Sequence, residues 1–278
     1  MFTAVLVAVL ALLFAVEAVV EVIRKERVRA AIAANRSRFY RRSMILWWLL
    51  TVIWCGIVLH EGRLTRATLG WAGTGTGYAD VSAEVAAGFV WAVTGLLPLM
   101  ALIGGIQARL RGHTQPAPGR DAYDVLLPRT PGERWLAAGV AITAGITEEV
   151  IFRGLLIAAG IEVYRLPVVV AAVISLVLFA AVHGYQGTRG ILSAASLGLI
   201  FTVLYLMSGS ILPGIIVHAV QNLVALLLVP AKNAENRTAN AEEPTEIGPN
   251  PAPAAVPAPL EAAPTAIANL KIRRPTPE

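Results

Sequence analysis

Thr147-Glu148-Glu149-Val150-Ile151-Phe152-Arg153-Gly154 is the stretch on which the reading of this chain turns. It interrupts an otherwise apolar segment from about Trp135 to Ile161, long enough to cross a bilayer, since about 20 apolar residues span ~30 Å of hydrocarbon. Each ionised group held at that depth costs ~2.5 kcal/mol or more. Two carboxylates and a guanidinium therefore need a network of partners or a water-filled cavity. Function is sought there first.

Composition agrees with a membrane protein. Of 278 residues 56% are hydrophobic and 15% charged, and mean hydropathy is +0.65, whereas a soluble domain carries roughly 25% charged residues. The net charge of +5 does not point to nucleic acid, because eight of the 23 Lys and Arg fall in Arg24–Arg42, directly after the first apolar run. A basic block at a membrane end is a topology signal and a contact for anionic lipid. The single cysteine, Cys55, lies in an apolar run, so no disulfide framework or cysteine metal site is expected.

Outward from the Glu-Glu stretch, six more apolar runs are legible. Three precede it: Met1 to about Ile23, Ser43 to His60 and Val85 to Ile106. Three follow: Val168 to Val182, Ile191 to Met207 and Ile211 to Val229. The expected fold is all-α, a polytopic transmembrane helix bundle of about seven spans. Its divisions are an N-terminal membrane region (1–123) with three spans and a basic cytoplasmic loop, a core (124–229), and an Ala/Pro-rich tail (230–278) expected to be disordered. Ala108–Glu133, with Pro116, Pro118, Pro128 and Pro131, is expected to be a connection. The first run lacks a basic n-region and is expected to be a retained span rather than a signal peptide. Glu17 and Glu21, one turn apart near its end, are expected at a wet interface, paired with the nearby Arg24 and Lys25. Arg24–Arg42 and Ala108–Arg134 hold eight and five basic residues against two in Glu61–Glu84. That bias sets the N-terminus outside and the tail in the cytoplasm.

Four groups of polar residues share membrane depth. Glu149 and Arg153 are four apart, near one helix face, with the acid first, the favoured order for an ion pair. Glu148 is turned about 100° away and can face a different cavity. Phe179 and His183 repeat that spacing on the fifth span, and His218 and Asn222 on the seventh. A carboxylate withdrawn from bulk water is a stronger base, a neutral imidazole can share its proton or orient water, and an imidazole with an amide N–H can stabilise an oxyanion. These ingredients suit hydrolysis. Interhelical hydrogen bonding alone, worth about 0.6 kcal/mol per bond, would explain any single one of them but not the set.

Glu148-Glu149-x-x-x-Arg153, Phe179-x-x-x-His183 and His218-x-x-x-Asn222 together resemble the three motifs of the CPBP intramembrane protease family, which includes the type II CAAX prenyl endopeptidases and is also called the Abi family. The resemblance runs from about Leu127 to Leu226, with Leu127-Pro128-Arg129-Thr130-Pro131-Gly132-Glu133 before the first motif and Ser208-Gly209-Ser210-Ile211-Leu212-Pro213 before the last. It implies a glutamate-dependent intramembrane endopeptidase without a cofactor. By position Glu148 would be the general base, assisted by His183, with His218 and Asn222 binding the oxyanion. Glu149 and Arg153 would be the supporting pair, Phe179 would shape the pocket, and the site would open towards the cytoplasm. The expected partners are membrane lipids and a membrane-associated peptide or protein, lipidated or not, with no nucleic acid. Composition suggests a bacterial inner membrane. Two other readings stay open: a metal-dependent membrane protease using His183, His218 and Glu148 as a zinc set, and a non-enzymatic proton pathway or peptide-binding scaffold. The sequence specifies no substrate.

Overall fold

The fold follows from helices too apolar to leave the bilayer and too polar at a few positions to stand alone in it. In the computed structural model, residues 2–62, 64–71, 77–78, 81–111 and 124–229 are described. Among them seven helices succeed one another: α1 (Phe2–Ala34), α2 (Arg36–His60), α3 (Ala83–Arg111), α4, α5 (Val168–Ala181), α6 (Gly187–Ser208) and α7 (Leu212–Leu227). Helix α4 is composite. It is α-helical over Pro131–Glu148, a π-helix over Glu149–Ile157, and α-helical again over Ala158–Glu162. The all-α expectation holds. The tail from residue 230, with its expected disorder, lies outside the described residues.

Four elements are long and apolar enough to cross a membrane: Thr3–Ala34, Arg36–His60, Ala83–Leu110 and Gly184–Ser208. The remaining three differ from full spans. Helices α5 and α7 have 14 and 16 residues, which at 1.5 Å per residue rise only ~21 and ~24 Å, and α4 carries the charges. Outward faces are greasy, as lipid requires: Trp91 is 78% exposed on α3 and Val169 70% on α5.

One expected loop proves helical, and the bounds of another shift. Helix α1 continues through the basic block to Ala34, and α2 begins at Arg36 after a single residue. Arg, Lys, Glu and Ala are all good helix formers, and the Asn35 side chain caps α2 by accepting the Arg38 N–H at 2.9 Å, one of the orphan donors of a helix start. The basic loop is therefore a helical elbow. The connection expected to reach Glu133 ends instead at Thr130, the N-cap of α4, which accepts the Glu133 N–H at 3.2 Å. Glu133 reaches back to the Arg129 N–H at 2.7 Å, and Pro131 sits where a missing N–H costs nothing.

The elbow is tied down. Arg36 Nε donates to the Val125 carbonyl at 2.9 Å, the Tyr40 hydroxyl donates to the Leu126 carbonyl, and Arg29 Nε donates to the Tyr185 carbonyl at 2.8 Å. Helix α4 packs on both α2 and α7. At Gly145 a Cβ would lie 2.8 Å from the Ala219 backbone, so only glycine allows α4 and α7 to approach this closely, as membrane helices do through small residues. Phe14, Phe152 and Phe179 belong to the hydrophobic cluster joining α1, α4 and α5.

Gly145→Val will push α4 and α7 apart. We expect a loss of about 1–3 kcal/mol, the range for overpacking, seen as a lowered thermal midpoint and a broadened size-exclusion peak in detergent.

Candidate active site

The π-helix sets the geometry. Its i→i+5 bonding leaves more residues per turn than an α-helix, and such segments are rare and concentrated at functional sites. All nine of its residues are buried. Its Phe152 carbonyl is bound from outside, by the Ser175 hydroxyl of α5, which satisfies a backbone group that hydrocarbon cannot. The straight α-helix expected here is thus replaced by a wider coil, yet Glu149 and Arg153 still meet. Arg153 Nη1 donates to Glu149 Oε1 at 3.1 Å, and both side chains are 1% exposed.

The second terminal nitrogen is held as closely, while Nε is buried without a hydrogen-bond partner. Arg153 Nη2 donates to the Gly198 carbonyl of α6 at 2.8 Å, and the charge lies over the Phe179 ring, 4.2 Å from its centre. Burying a cation in this way needs an opposing charge, hydrogen bonds and a π face together. At Gly198 any Cβ would meet the Phe179 ring at 2.7 Å, so this glycine is what lets α6 bring its carbonyl to the arginine.

His218 of α7 completes the buried group. Its Nδ1 lies 2.9 Å from Glu149 Oε1. Since a carboxylate oxygen accepts, the ring proton belongs on Nδ1. The ring stacks on Phe201, centres 4.7 Å apart and planes at 19°. Its Nε2 is 3.9 Å from Glu148 Oε2, too far for a hydrogen bond, so one oxygen atom placed to the side of that line can contact both. His183, just beyond α5, donates from Nδ1 to the Phe179 carbonyl at 2.8 Å, which in the neutral ring leaves Nε2 as a lone-pair acceptor.

Glu148 ends the α-helical part of α4. It is 6% exposed, and its Oε2 is buried with no hydrogen-bond partner. It lines a cavity of about 520 Å³ together with His183 and Asn222. The structure thus brings Glu148, His183 and Asn222 to one cavity and sets Glu149, Arg153 and His218 behind it. Phe179, expected to shape the pocket, is a platform for Arg153 instead. Its ring is 2% exposed and does not line the cavity. Among the described residues no three His, Cys, Asp or Glu side chains are grouped closely enough to hold a metal ion, so the zinc reading finds no ready ligand set.

The sequence reading missed one wall of this cavity, formed by Glu17 and Glu21 of α1. Neither glutamate forms the ion pair with Arg24 or Lys25 that an interfacial turn would give, and Glu21 Oε2 is buried with no hydrogen-bond partner. Two acids at helical spacing inside an apolar run were the available signal.

Arg153→Ala will leave Glu149 and His218 buried without their counter-ion. We expect a loss of about 3–5 kcal/mol, read as a collapse in the yield of folded protein from membranes.

No curated protein and no solved structure matches the chain significantly. One family model does, over residues 130–224, and its description is type II CAAX prenyl endopeptidase, Rce1-like. That stretch is about a third of the chain, and all seven side chains singled out by the three motifs lie inside it. Residues 130–224 thus match the model of the family that those motifs resemble.

Proposed function

We propose that the chain is an intramembrane endopeptidase that cuts a membrane-associated protein or peptide with a glutamate-activated water. The observation that carries this is the unpartnered Glu148 oxygen, buried yet lining the same cavity as His183 and Asn222. A carboxylate kept free of partners at such a place is held ready to take a proton.

In this reading Glu148 draws a proton from a water held against it, and His183 Nε2 accepts the water's second hydrogen and fixes its orientation. The water oxygen adds to the scissile carbonyl carbon. Asn222 donates its amide N–H to the oxygen on which charge develops, an interaction worth roughly 2.7–4 kcal/mol when well aimed. His218 can join as a donor only when doubly protonated, since its Nδ1 proton is committed to Glu149. Glu148 then returns the proton to the leaving amine. The Glu149–Arg153 pair holds the π-helix, and through it the carboxylate, in place.

The basic elbow lies beside the cavity, since Arg29 binds the carbonyl of the lining residue Tyr185. With basic residues retained in the cytoplasm, this supports a cytoplasm-facing site and an N-terminus outside.

Glu148→Gln and His183→Ala are expected to abolish turnover, a loss of at least about 10²-fold each, while membrane insertion and folded yield stay near wild type. Comparing peptide termini in the membrane fraction of cells with wild-type chain and with Glu148→Ala tests the reading. Termini that depend on Glu148 carry it, and their absence ends it. The metal reading predicts lasting loss of activity on chelation, restored by zinc. The glutamate reading predicts none.

A further inference from the structure

One wall of the cavity is acidic. Glu17 and Glu21 of α1 share the cavity with Glu148, and no Lys or Arg is among the described residues that line it. Glu21 Oε2 is buried without a hydrogen-bond partner, as is Glu148 Oε2. Two basic side chains near this wall and the catalytic group are occupied elsewhere: Arg29 binds Glu26 and the Tyr185 carbonyl, and Arg153 binds Glu149 and the Gly198 carbonyl. Most of the remaining wall is apolar, including Leu10, Phe14, Met44, Trp47 and Leu50. Three carboxylates facing one space at low dielectric repel each other and any anion that enters. What relieves them is a cation on an apolar stem.

We propose that Glu17 and Glu21 are specificity-determining residues that receive a Lys or Arg side chain of the substrate close to the scissile bond. The idea rests on the endopeptidase reading of the same cavity. Lys and Arg fit because their methylene stems pack on apolar surface while the charged head finds its partner. Glu17 is exposed at the cavity wall and Glu21 is half-buried, one helical turn on, so a side chain entering past Glu17 meets Glu21 next. Both lie on α1, outside the family-matched segment, and so can set substrate preference without altering the groups that would perform hydrolysis.

The test compares membrane-fraction termini from cells carrying the full chain as wild type, Glu148→Ala, Glu17→Gln/Glu21→Gln, and Glu17→Asp/Glu21→Asp. The expected result is a set of Glu148-dependent termini with Lys or Arg enriched within about four residues of the cut, a span set by cavity size. That enrichment disappears in the Gln pair and survives in the Asp pair, which keeps the charge. N-acetylated peptides copied from such sites then give the ratio of kcat/KM for Lys over norleucine. The ratio is at least about tenfold with the wild-type chain and falls towards one with the Gln pair, mainly through KM. Acetylation ensures that a free α-amine is not the group being read. Glu148-dependent termini without basic enrichment overturn the proposal and leave the peptidase reading intact, and the wild-type arm decides this even if the Gln pair does not fold. No Glu148-dependent terminus at all ends both.

Discussion

A guanidinium buried in hydrocarbon is the constraint from which the rest of the core follows. Arg153 is fully buried, and an unpaired cation there would cost several kcal/mol. It is balanced by Glu149, by the Gly198 carbonyl and by the face of Phe179. Each partner comes from a different element, α4, α6 and α5. His218 of α7 joins through the same carboxylate oxygen. Four helices are thereby fixed to one charge, which accounts for Glu149, Arg153 and His218 at these positions.

Committing Glu149 Oε1 to both Arg153 and His218 has a consequence for the neighbouring residue. The adjoining residue, Glu148, closes the α-helical part of α4 just before the π-helix opens. One carboxylate faces the buried cation while the other faces the cavity. Two chemically identical side chains acquire different roles from the direction in which each is aimed. The same logic governs the imidazoles, since each has its Nδ1 committed to an acceptor, which orients the ring and leaves Nε2 for whatever enters.

The cavity also explains why α5 and α7 are short. A helix of ~21 Å cannot cross ~30 Å of hydrocarbon, so α5 delivers His183 before a crossing would be complete. The chain then turns through the 3-10 segment Gly184–Gln186 into α6. Irregular backbone at depth is tolerated where it is covered by protein or borders a cavity. Here it does both: Gly184 packs against Val22 of α1, and Tyr185 and Gln186 line the cavity.

Much of this was legible in the residues alone. Runs of apolar side chains announced the helices, because hydrocarbon leaves the backbone no alternative. Glu148, Glu149, Arg153, His183, His218 and Asn222 stood out because each is expensive at that depth. Spacing of four foretold the Glu149–Arg153 pair, which survives even in a π-helix. Spacing along one helix says nothing about what a neighbouring helix presents, and there the tertiary structure decided. It turned Phe179 from the pocket to the cation, and brought α1 to the cavity with Glu17 and Glu21 as its acidic wall. It also changed Glu149–Ile157 to π geometry, because packing from four sides fixes a backbone that local preference leaves open.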